Sequence, residues 1–133
     1  MSPRRRRFPE HLQRPTSAFD DLLPPLGRAE AALTGSVPGT RLPGRPLAET
    51  LSEFEDGLRE VRDGMDTWRS PDIEPEWEAC SRGLDETLAL ADRVRTEGAQ
   101  PEGFEGLIGL IGDLLAPLDA FERASERFRE LRG

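Results

Sequence analysis

Seven large apolar residues, Leu47, Leu51, Phe54, Leu58, Val61, Met65 and Trp68, recur at 4-3-4-3-4-3 spacing. This is the seam of a coiled-coil-like helix; a strand, whose side chains alternate with a period of two, would scatter the same residues over both faces. The spacing predicts a helix over 46–70, with Pro46 at its first position, where no hydrogen-bond donor is lost, and Ser70-Pro71-Asp72 as its break. An apolar seam of this length must be covered by other segments.

Two later stretches can do so. A second helix is expected over 74–97, from Pro75 to the Gly98 stop, with Trp77, Cys80, Leu84, Thr87 or Leu88, Ala91 and Val94 as its core stripe. A third is expected over 101–132, opened by Pro101. It is the most apolar part of the chain, with an arc of roughly 160° from Leu110 through Leu107, Leu118, Phe104 and Leu115 to Ile108, wider than the ~100° of an ordinary surface helix. The intervening turns are a few residues long, so the expected fold is all-α, an antiparallel three-helix bundle. The third helix comes to ~48 Å against ~35 Å for the other two and overhangs them unless Pro117 bends or breaks it. That overhang makes Phe121, Phe128 and Leu131 candidate partner-binding residues, to be covered by residues 18–34 or by another chain.

Upstream of the bundle the signals weaken. Residues 1–17 are rich in Arg and Pro without apolar periodicity and read as a disordered tail. Residues 18–34 allow a short fourth helix that starts near Pro25 and is capped by Gly35, and residues 35–45 read as a Gly/Pro linker into the bundle domain, 46–133.

Residue types restrict the chemistry. All 18 basic residues are Arg, and Lys, Asn and Tyr are absent. Their codons are AT-rich, which suggests a GC-rich bacterial genome. Catalysis by acid–base or nucleophilic routes lacks its usual groups: the one His is His11, in the tail, and Cys80 sits on a core stripe with no His beside it. The expectation is a non-enzymatic interaction or regulatory protein with no cofactor and no metal, engaging a protein partner or a second copy of itself. A single Cys excludes an internal disulfide, and no apolar run is long enough to span a membrane or serve as a signal core, which points to the cytoplasm.

Charge marks two further candidate surfaces. The net charge of −8 divides unevenly: residues 1–45 hold eight Arg against four acids, and residues 46–133 ten Arg against 22 acids. On the first bundle helix Glu49, Glu53, Asp56, Glu60 and Asp63 repeat the 4-3-4-3 spacing directly opposite the seam, a solvated face or a docking strip for a basic partner. Glu53-x-x-Asp56 and Glu60-x-x-Asp63 resemble a fragment of the Mg²⁺ motifs of all-α nucleotide pyrophosphatases. They point away from the seam, and no Lys is present to engage a phosphate. In the tail, Arg4, Arg5, Arg6 and Arg7 form a candidate anion-binding arm that could tether an accessory factor weakly to nucleic acid. Gly103, Gly106, Gly109 and Gly112 allow either close helix approach or a deliberately soft first half of the third helix.

Overall fold

The structure, a computed structural model, describes residues 10–34, 46–98 and 101–132. The expectations for residues 1–9, Arg4–Arg7 among them, and for the 35–45 linker lie outside the described residues. Among those described the chain is helical and contains no strand: α1 spans Glu10–Thr34, α2 Leu47–Asp63, α3 Glu74–Glu97, α4 Gly103–Leu115 and α5 Asp119–Arg132. Single 3₁₀ turns at Met65–Trp68, Pro71–Ile73 and Ala116–Leu118 join or extend them.

The largest departure from the sequence reading is α1. It starts at Glu10, so residues 10–17, expected in the disordered tail, are helical, and it continues through Pro15, Pro24 and Pro25. Each proline removes one helical hydrogen bond, at about 3 kcal/mol or more in a helix interior. Burial outweighs this. Leu12, Phe19, Leu22, Leu26 and Leu33 are all buried along one stripe, and each large side chain taken from water contributes about 1.5–3 kcal/mol.

That stripe packs chiefly on α2. Ala29 meets Gly57 and Leu22 meets Gly64, so residue numbers rise on one helix as they fall on the other. The exposed clasp of His11 on Asp72, at 2.6 Å, lies where that pairing leads. The seam of α2 is buried as its spacing requires, from Leu51 to Trp68, although the α-helix stops at Gly64 and the last two seam residues ride on a 3₁₀ turn.

α3 ends where expected, at Gly98, whose φ of 64° is the left-handed conformation of a helix stop. On α3, Trp77 donates its indole N–H to the Met65 carbonyl (2.7 Å), and Asp85 pairs with Arg62 of α2.

The expected third helix is divided at Pro117 into α4 and α5, joined by a 3₁₀ turn. α3 crosses this junction at close range. A Cβ on Gly83 would lie 2.2 Å from the Pro117 carbonyl oxygen, so only glycine permits the approach. The buried Thr87 hydroxyl donates to the Leu114 carbonyl at 2.9 Å one turn away. The junction is thus pinned by backbone contact as well as by side chains.

Candidate functional site

The expected overhang of the third helix is closed by the chain itself. Phe121 and Phe128 are buried, and Phe19 of α1 lies 6.4 Å and 5.1 Å from their ring centroids. Trp68 completes the cluster, 4.9 Å from Phe19 and 6.0 Å from Phe128. Leu131 is half-buried against the same core. Phe121 and Phe128 are thus covered from residues 18–34, one of the two covers the sequence allowed, through Phe19 of α1.

The apolar surface left open is on α4. Phe104 is 59% exposed and Ile108 43%, and with Leu23 of α1 they are the large hydrophobic residues most open to water among those described. Only Ile111 and Leu114 of α4 are buried. Gly109 and Gly112 have open space where a Cβ would stand, so neither serves close packing.

Along the same helical face, Leu115 leads from Ile108 into a cleft of about 490 Å³ between α1 and α5. Leu23, Leu26, Leu115, Leu118 and Phe121 line it with apolar surface. Glu30, Asp119 and Glu122 bring carboxylates to it, and Arg129 one guanidinium. Partial burial, then the neighbouring charges of Asp119 and Glu122, push the Glu30 carboxyl above its ordinary value.

The acidic strip of α2 is present as drawn: Glu49, Glu53, Asp56, Glu60 and Asp63 are all exposed. It is partly engaged within the molecule. Arg28 of α1 reaches Glu60 at 3.2 Å, Arg59 meets Asp56 at 3.4 Å, and neither Glu49 nor Glu53 is without a partner. Beside the strip Glu55 is only 2% exposed, and Arg95 of α3 grips its two oxygens at 2.7 and 3.4 Å. The sequence places Glu55 on the flank of the seam but carries no signal that an Arg forty residues away covers it.

Cys80 is buried, and desolvation pushes its thiol up to about 12. His11 is exposed on the Asp72 clasp. Among the described residues no group of three or more His, Cys, Asp and Glu side chains is placed to hold a metal ion, and no helix is long and apolar enough to cross a membrane. No protein-family model, curated protein or solved structure matches this chain.

Proposed function

We propose that the chain is an antiparallel helical bundle that works as a non-enzymatic interaction or regulatory module in the cytoplasm, binding a protein partner. The observation that carries this reading is the open face of α4: Phe104 and Ile108 are exposed while the seam residues from Leu51 to Trp68 are shut away. A buried, protonated Cys80 and an inventory without Lys or Tyr support a binding role over a catalytic one. The antiparallel arrangement draws support from the paired contacts of α1 with α2, from Glu55–Arg95 taken with Arg62–Asp85, and from Gly83–Pro117 taken with Thr87–Leu114.

Affinity capture from cells of the native host, with wild type and Ile108→Glu as parallel baits, tests the reading. The substitution falls on an exposed position, so the helical circular dichroism signal should be unchanged. A partner identified by mass spectrometry with the wild type and lost with Ile108→Glu is the expected result. Capture that is indifferent to Ile108→Glu and to Phe104→Ser would overturn it.

A further inference from the structure

We infer that the α4 face and the adjoining α1–α5 cleft together form a groove for a basic amphipathic helix of another protein, whose apolar side lies on Phe104, Ile108 and Leu115 and whose Arg or Lys enters among Glu30, Asp119 and Glu122. This inference rests on the reading of α4 as a binding surface and adds the chemistry of the partner.

Phe104, Ile108 and Leu115 stand at i, i+4 and i+11 on one helix, within roughly 40° of one another and over ~17 Å. That is the footprint of about three turns of a partner helix, the helix-in-groove mode of recognition. Gly112, on the flank of this face, adds no side chain that would lift a neighbouring helix away.

At the Leu115 end the surface changes character. The cleft has an apolar floor, as the stem of an Arg or Lys requires, and three carboxylates against one guanidinium for its charged head. The rim of this face carries a further exposed carboxylate, Glu105, beside Phe104. Such a surface attracts a basic partner and disfavours an acidic one. The same asymmetry argues against a second copy of this chain. A two-fold pairing through this face would set each copy's acidic rim close to the other's, on bodies whose 46–133 region already carries ten Arg against 22 acids.

The mutual repulsion of Glu30, Asp119 and Glu122 is a standing cost that an incoming cation relieves. Binding should therefore weaken with salt.

The test uses the full chain and two synthetic amphipathic helices with the same leucine face, one flanked by Arg and the other by Glu. Binding is followed by fluorescence anisotropy of the labelled peptides and by methyl NMR of Ile108. The Arg peptide should bind, shift the Ile108 methyl resonance and lose affinity with added salt. The Glu peptide should bind at least about tenfold more weakly, a gap of about 1.4 kcal/mol. A Glu30→Gln/Glu122→Gln variant, with both changes at the open cleft, should narrow that gap. Equal binding of the two peptides would overturn the charge assignment. So would failure of both to shift Ile108, or a dimer in sedimentation equilibrium that Ile108→Glu dissolves. In each of these cases the cellular capture experiment still decides separately whether α4 is a binding surface.

Discussion

Glu55 and Arg95 make the contact that residue-level chemistry governs most clearly. At 2% exposure the Glu55 carboxylate has given up almost all contact with water, and Arg95 replaces it in two-pronged form, with Arg59 3.8 Å away. Arg95→Ala would leave that charge buried. The expected loss is about 1–3 kcal/mol, below the 3–5 of a fully buried pair, because Arg95 is itself partly in water and Arg59 remains. Urea unfolding measures it. Cys80 gives a second test: with its thiol held up at about 12 and no exposed surface, it should react with thiol reagents only as fast as the chain opens. Rapid labelling of the native protein would contradict the core placement. Glu30 sets a pH dependence. Its folded-state value is raised, so the folded chain holds that proton more tightly than the unfolded one. The resulting stability is present below the ordinary value of 4.5 and is lost as pH rises through the folded value. Glu30→Gln should therefore raise the melting temperature at neutral pH and have less effect in acid, as calorimetry at the two conditions would show.

Among the helices, the parts legible from sequence are those where spacing and burial agree. The α2 seam, the Gly98 stop and the α3 stripe through Cys80, Leu84, Thr87 and Ala91 all follow from periodicity and turn chemistry. What could not be read was any element whose local rule loses to tertiary packing. Pro24-Pro25 signals a break, yet α1 runs through it because Leu22, Leu26 and Ala29 are buried against α2. Once Phe19 reaches Phe128, the apolar surplus of the chain is found on α4 rather than at the end of α5. The glycines separate the two effects. Gly83→Ala would drive a Cβ into the Pro117 carbonyl, backbone against backbone, and should cost about 1–3 kcal/mol or more. Gly109→Ala fills open space and removes a flexible helix residue, and should stabilise by about 0.4–1 kcal/mol. Chemical denaturation of the two variants should shift in opposite directions.

At the scale of the whole molecule, the chain combines a shut core with one poorly covered helix. The core gathers side chains from α1, α2, α3 and α5 around Trp68, Phe19 and Leu58, while α4 contributes little beyond Ile111 and Leu114. Local stability should follow that distribution, since few buried contacts and several glycines allow a helix to open without the rest of the fold. Residue-resolved native-state hydrogen exchange tests this most directly. The account predicts that amides of Leu107–Gly112 in α4 exchange well ahead of those of Phe54–Val61 in α2, which should open only with global unfolding. Protection of α4 equal to that of α2 in the isolated protein would contradict it, because it would mean that the helix proposed to receive a partner is already fully held by its own chain.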